Sequence, residues 1–246
     1  MKFNNIFLQE KWGLDKIEVR DNGCGIQESD ASFMGQSHYT SKISKHEDLE
    51  MVNTYGFRGE ALGSLCQVSD LFITTKTAQD AVAMSYTLDH EGKISSKKPT
   101  HDGNGTTVVA CNIFRNLPVR KQFCGSAKKC KEELKNIEDL LMAYGLINPG
   151  LRVTLRNNKT IVWQKNKSCD IKTALMDVFG IHIFNQLEYI EHVDESLPIT
   201  LKCFLPKRDS DSQLTSRSSE DRCFLFVNKR YVIWKELMQV NEHCII

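Results

Sequence analysis

Tyr55-Gly56-Phe57-Arg58-Gly59-Glu60-Ala61-Leu62 is the stretch on which the reading of this chain turns. It sets two glycines three residues apart, with an arginine between them, ahead of a run that predicts a helix over Ala61 to Val68. Glycine lets a backbone approach a ligand closely. The first turn of a helix offers N–H groups with no partner in the helix, at the positive end of its dipole. Together these features suit a phosphate. The same residues also suit a plain turn, and Arg58 also suits a structural ion pair.

Two further stretches point the same way. Ile17 and Val19 alternate with Lys16, Glu18 and Arg20, a half-buried strand that runs into Asp21-Asn22-Gly23-Cys24-Gly25. A carboxylate there can accept from an exocyclic amine such as adenine N6, whereas guanine would turn a carbonyl oxygen on it. Gly23 and Gly25 would let a base lie against the main chain, although an ordinary Asp-Asn-Gly turn has the same composition. Later, Gly105-Thr106-Thr107 opens a β-branched strand. Its threonine hydroxyls can reach the same aspartate or simply belong to the strand.

Composition excludes several classes. The chain has 246 residues, 41% hydrophobic and 26% charged, with a net charge of +1. That suits one large or two modest globular domains, and any affinity for nucleic acid has to come from a local patch. The nine cysteines contain no CxxC pair, which argues for reduced thiols in an intracellular protein rather than a zinc site or a secreted disulfide frame. No apolar run reaches the roughly 18 residues of a membrane span, so no membrane partner is expected. The histidines are isolated and suggest no metal cluster.

The remaining pattern predicts an α+β chain. Strands are expected over residues 6–10, 71–75, 83–88 and 105–110, and a hairpin turns about Asn157-Asn158. A helix is expected from Ala127 to Tyr144 with Gly145 as its stop, and Asp170 is expected to cap a helix that ends at Gly180. Residues 35–54 read as a polar lid. Lys165-Asn166-Lys167-Ser168 reads as a polar boundary between domains 1–165 and 170–246. Strands near 187–192, 199–204 and 223–228 follow, and the chain from Ile233 on reads as a helix. Arg115, Arg120, Lys121, Lys128, Lys129, Lys131 and Lys135 make a local basic excess that suits either phosphate contacts or a solvated helix face.

Asp21-x-Gly23-x-Gly25, Gly56-x-x-Gly59 and Gly105-Thr106 occur in an order that resembles the GHKL nucleotide-binding fold. Thr40-Ser41-Lys42-Ile43, Gly56-Phe57-Arg58-Gly59-Glu60-Ala61-Leu62, Leu117-Pro118-Val119-Arg120-Lys121 and Phe226-Val227-Asn228-Lys229-Arg230 resemble the MutL mismatch-repair family. His46-Glu47-Asp48-Leu49-Glu50 and the tract from Phe114 to Tyr144 are similar to its eukaryotic Pms branch.

The resemblance implies a two-layer α/β sandwich of GHKL (Bergerat) type over 1–165, without its first helix. An incomplete ribosomal-S5-like domain would follow over 170–246. It implies ATP with Mg²⁺. Asp21 would hold adenine with Thr107 beside it, and Gly23 and Gly25 would lie near the base and sugar. Thr40, Ser41 and Lys42 would belong to the lid, and Gly56, Phe57, Arg58, Gly59, Glu60 and Ala61 would wrap the phosphates. It implies DNA bound without sequence readout, with Arg120, Lys121, Lys128, Lys129, Lys229 and Arg230 as candidates. It further implies an Mlh-type partner in a heterodimer and a place in the nucleus.

The family's general-base glutamate and magnesium-ligand asparagine lie on a helix reading E-L-I-x-N-S-x-D-A, and its γ-phosphate lysine lies in a T-P-x-K context. Neither pattern occurs here, and Glu10, Glu18, Asn4 and Asn5 stand in the wrong context to replace them. Turnover by this polypeptide is therefore not expected, since loss of a base alone costs about 10²–10⁴-fold. The alternatives are a DNA-binding or scaffold subunit without a working nucleotide site, and another GHKL enzyme.

Overall fold

The computed structural model describes residues 3–9 (backbone only), 11–36, 39, 56, 59–194, 196, 199–215 and 222–233. The lid residues Thr40, Ser41 and Lys42, the phosphate-loop residues Phe57 and Arg58, and the helix expected after Ile233 lie outside them. The chain divides into two compact units. One comprises Met1–Glu138 with Arg152–Gln164, and the other Asp139–Leu151 with Lys165–Ile246.

The first unit is built on an eight-stranded sheet. In chain order its elements are β1 (Phe3–Gln9), β2 (Lys16–Asp21), α1 (Glu28–Ala31), α2 (Ala61–Val68), β3 (Asp70–Lys76), β4 (Ala83–Leu88), β5 (Ile94–Thr100) and β6 (Gly105–Cys111). These are followed by α3 (Pro118–Cys124), α4 (Ala127–Ile147), whose residues from Asp139 on belong to the second unit, β7 (Val153–Asn157) and β8 (Thr160–Lys165). The strand order is β5-β4-β3-β6-β2-β1-β7-β8. β5-β4, β4-β3, β3-β6, β6-β2 and β2-β1 pair antiparallel, and β1 and β7 run parallel.

β3 shows why the sheet has one dry face. Leu71, Ile73 and Thr75 are buried while the residues between them are half-buried, the period-two signature of a strand covered on one side. Leu71, Ile73, Ala110 and Leu88 join Cys66 in a core, against which Leu62, Leu65, Ile26 and Met34 pack. α2 and the segment from Ile26 to Met34 therefore lie on that face.

One local expectation fails for a physical reason. α4 runs through Gly145 to Ile147. Ala143 and Leu146 are buried around that glycine, and burial of this kind offsets the roughly 1 kcal/mol that glycine costs inside a helix. The stop comes after Ile147, at Asn148-Pro149, because proline disfavours the helical conformation in the residue before it. The short helix α3 has no counterpart in the sequence reading. It begins on Pro118, whose fixed φ and missing N–H suit the first helical position.

The second unit holds α5 (Ile171–Phe179), α6 (Ile181–Phe184), β9 (Leu187–Asp194), β10 (Ile199–Pro206), α7 (Ser212–Thr215), β11 (Leu225–Val227) and β12 (Arg230–Val232). β9 pairs antiparallel with β10, and β11 with β12. Leu146, Ala174 and Leu175 form its core with Val178, Phe179, Phe184, Phe204 and Phe224. Asp170 caps α5 by accepting the Thr173 N–H at 2.8 Å, and Gly180 follows with φ 85°.

Within the polar stretch from Lys165 to Ser168, Asn166 and Lys167 are exposed while the two residues at its ends are buried. Lys165 is 2% exposed, and its ammonium donates to the carbonyls of Pro149, Leu151 and Asn166 at 2.8, 3.1 and 2.9 Å. Ser168 donates to Asp177 at 2.6 Å. Burial pushes the Lys165 pKa down, and Asp177 opposes that shift.

Candidate functional site

The C-terminal ends of β2 and β3 and the N-terminal end of β6 meet at one end of the sheet. Asp21 is the last residue of β2 and stands opposite Thr106 of β6, which in turn stands opposite Thr75 of β3. Residues directly opposite in an antiparallel pair share a face. Asp21, Thr106 and Thr75 thus continue the dry face of Leu71 and Ile73 to its rim.

Thr75 ties this rim together. It is 5% exposed. Its hydroxyl accepts the Ile26 N–H at 2.8 Å, donates to the Gly105 carbonyl at 3.1 Å and lies 3.3 Å from the Thr106 hydroxyl. One β-branched side chain therefore joins the loop after β2 to the start of β6.

The loop after Asp21 is held close. Gly23 donates its N–H to Asp21 Oδ1 at 2.7 Å. Gly25 has φ 77°, a left-handed conformation that favours glycine, and a Cβ there would overlap the Lys76 carbonyl oxygen. At Gly105 a Cβ would overlap the carbonyl oxygen of Asp21. The strand ends approach each other main chain to main chain, and side chains other than hydrogen would hold them apart.

The resulting rim has a definite chemistry. Asp21 supplies a half-buried carboxylate that accepts from the Gly23 amide. Hydroxyls and exposed peptide groups surround it. Such a rim can accept from an exocyclic amine and lie flat against an aromatic base.

Thr107 is the correction. It stands opposite Arg20 and Thr74, so its side chain lies on the other face of the sheet, away from Asp21. The threonine beside Asp21 is Thr106. Extending the buried alternation of Leu71 and Ile73 by two residues would have found Thr75. In β6, adjacent Val108 and Val109 hide the parity, which is why Thr106 and Thr107 could not be told apart.

Among the phosphate-loop residues described, Gly56 is exposed, and Gly59 has φ 67° with a Cβ position that would overlap the Tyr39 carbonyl oxygen. Glu60 is the N-cap of α2 without a side-chain cap bond, and its carbonyl accepts the Ser64 N–H at 2.9 Å. Ala61 opens α2, exposed. Leu62 packs on the cluster that also receives Ile26, which puts α2 on the same face as Asp21.

The basic candidates divide. Lys129 pairs with Glu132 and Glu133 at 3.1 and 3.0 Å, which raises its pKa, and Lys121 reaches Asp15 at 3.8 Å. Arg115 pairs with Asp70 at 2.9 Å, and Arg120 lies over the Phe114 ring at 4.9 Å. Lys128 and Lys131 are exposed on α4. In the second unit, Lys229 is exposed in the turn before β12, with φ 65°, and Arg230 opens that strand. No helix among the described residues is long and apolar enough to cross a membrane.

No protein-family model matches the chain. The chain is 50% identical over 234 residues to PMS1 protein homolog 1 of Homo sapiens, covering 95% of this chain and 25% of that protein. It is 37% identical over 238 residues to DNA mismatch repair protein PMS1 of Arabidopsis thaliana, covering 94% of this chain and 25% of that one. The chain thus spans about a quarter of the length of these curated relatives.

Among solved structures, it resembles the N-terminal domain of a DNA repair protein with 30% identity and a TM-score of 0.76, covering 97% of this chain and 72% of that one. It also resembles the Aquifex aeolicus MutL ATPase domain complexed with ADP, with 24% identity and a TM-score of 0.66, covering 97% and 78%. That second likeness shows the fold, the α+β GHKL type that the order of the glycine motifs implied. With these relatives and this fold, the chain belongs to the MutL/Pms family of DNA mismatch repair proteins.

Proposed function

We propose that the first unit binds an adenine nucleotide at the rim formed by Asp21, Thr75 and Thr106. The observation that carries this reading is the Asp21 carboxylate, set at a strand end where Gly25 and Gly105 bring three main chains together. Asp21 would accept from the adenine amine. Thr106 would stand beside it, Gly23 and Gly25 would border the base and sugar, and Gly56 to Ala61 would take the phosphates. The similar Aquifex domain is described as complexed with ADP, which supports the same ligand class here. Mg²⁺ would arrive on the phosphates and neutralise their charge, and no residue of this chain is assigned to it.

The proposal covers binding, with the first unit as the GHKL domain and the second as an S5-like domain. It places the protein in mismatch repair in the nucleus, with DNA and an Mlh-type homologue as partners. Lys128, Lys131 and Lys229 are the DNA contacts best supported by exposure, and half-buried Arg230 is a further candidate.

The test is an equilibrium titration of the chain with ATP, ADP and GTP, repeated on Asp21→Asn. Binding of the adenine nucleotides in preference to GTP, lost in the variant, is the expected result. No adenine binding by the wild-type chain, alongside salt-dependent DNA binding, would favour a DNA-binding subunit instead.

A further inference from the structure

The start of α2 has no side-chain cap, yet Gly59 just before it is held in place from outside. A Cβ on Gly59 would overlap the Tyr39 carbonyl oxygen and lie 2.7 Å from its carbonyl carbon and 2.9 Å from its amide nitrogen. The Tyr39 main chain therefore crosses directly over Gly59.

Tyr39 is itself anchored by its ring. It stacks on Phe33 with centroids 4.9 Å apart and planes 14° from parallel, although the two residues remain 54% and 44% exposed. An exposed pair at this geometry gains from ring–ring attraction as well as from excluded water.

Phe33 is fixed in turn. The Phe33 N–H donates to the Asp30 carbonyl and the Gln36 N–H to the Phe33 carbonyl, both at 3.1 Å, while Met34 packs into the core. Gly35 sits against the turn between β4 and β5, where a Cβ on Gly35 would lie 2.6 Å from the Gly92 carbonyl oxygen. That turn is braced by Asp89, which accepts the Glu91 and Lys93 N–H groups at 2.9 Å each. Contacts thus pass from a rigid hairpin turn through Gly35, Phe33 and Tyr39 to Gly59.

We infer that the Phe33–Tyr39 stack is a positioning clasp that fixes the Gly59–Glu60 turn and so sets how well the adjoining segment receives the phosphates of a nucleotide. Phe33 is a positioning residue, because it acts through Tyr39. The inference rests on the nucleotide reading for its consequence, though the clasp itself can be measured without ligand.

The experiment is amide hydrogen exchange on the ligand-free chain as wild type, Phe33→Ala and Phe33→Tyr, followed by ADP titration of the same three proteins. Phe33→Ala is expected to speed exchange over residues 59–64 about threefold to tenfold, with the amides of β6 unchanged. Phe33→Tyr restores the wild-type rate, and ADP affinity falls in Phe33→Ala by a similar factor. Unchanged exchange at 59–64 in Phe33→Ala, or an equal rise across the whole unit, overturns the clasp. If the wild-type chain binds no ADP, the nucleotide reading fails, while the exchange result still decides the clasp.

Discussion

Two aspartates sit at opposite ends of the same three-stranded core of the sheet, and their surroundings differ in kind. Asp70 opens β3 and is partnered by side chains on both oxygens, with Asn112 Nδ2 at 2.8 Å and Arg115 Nη1 at 2.9 Å. Asp21 closes β2 and meets a main-chain amide, with hydroxyls and glycines around it. At the Asp70 end, Asp15 faces the Lys121 ammonium at 3.8 Å and two residues, Asn112 and Phe114, hold left-handed φ values of 53° and 61°. That end is tied shut by ions. The Asp21 end also has an ion pair, Arg20 with Asp102, but Arg20 stands opposite Thr107 on the far face. On the Asp21 face the strand ends are joined by Thr75 and close on glycines, which leaves a carboxylate open to a ligand.

The sharpest way to break this comparison is to neutralise each acid in turn. Asp21→Asn is expected to weaken adenine nucleotide binding about 10- to 100-fold, the scale of one charge-assisted hydrogen bond. Asp70→Asn should leave that affinity within about twofold and lower stability slightly, because its ion pair with Arg115 is exposed. Calorimetric titration of both variants checks the contrast, and equal losses in both would remove it.

A smaller effect separates the two threonines of β6. Thr106→Val should weaken binding several-fold, while Thr107→Val on the far face should not. Thr75→Val should cost about 1–3 kcal/mol of stability, because it strands the Ile26 N–H and the Gly105 carbonyl. Denaturant unfolding of the three variants, read with their nucleotide affinities, orders these effects.

The chemistry of the cysteines marks the ends more gently. Cys24 is exposed in the loop after Asp21. Cys111 lies at the opposite end, where burial pushes its thiol pKa up from 9.0 and the charges of Asp70 and Glu18 add to that rise against Lys16. A thiol held protonated reacts slowly until the pH climbs past its raised pKa. Iodoacetamide at neutral pH should therefore label Cys24 ahead of Cys111, with Cys111 gaining as pH rises. Bound ADP should slow labelling of Cys24 and leave Cys111 alone. Mass spectrometry of the labelled peptides reads both.

The sequence carried the local chemistry better than the pairing. Asp21, Gly25 and Gly105 were legible because glycine near an acid has few uses, and the structure joins them in one rim. The burial of Thr75 follows from the alternation of Leu71 and Ile73, but its bridging role depends on two neighbouring strands, and no local pattern states which strands will be neighbours. Thr106 and Thr107 are indistinguishable in the sequence because two adjacent valines erase the alternation that fixes a face. Lys165 reads in the sequence only as part of a polar boundary, because a buried lysine and an exposed one look alike until the three carbonyls around it are known. Gly145 failed as a stop because packing, which a one-dimensional pattern omits, outweighed propensity.

The most direct test of the central claim is amide hydrogen exchange of the whole chain with and without saturating ADP. Slowed exchange at residues 21–26 and 105–107, with residues 111–117 at the far end unchanged, is the predicted result. Protection confined to the Asp70 end, or none at either end under conditions where ADP is bound, would contradict it.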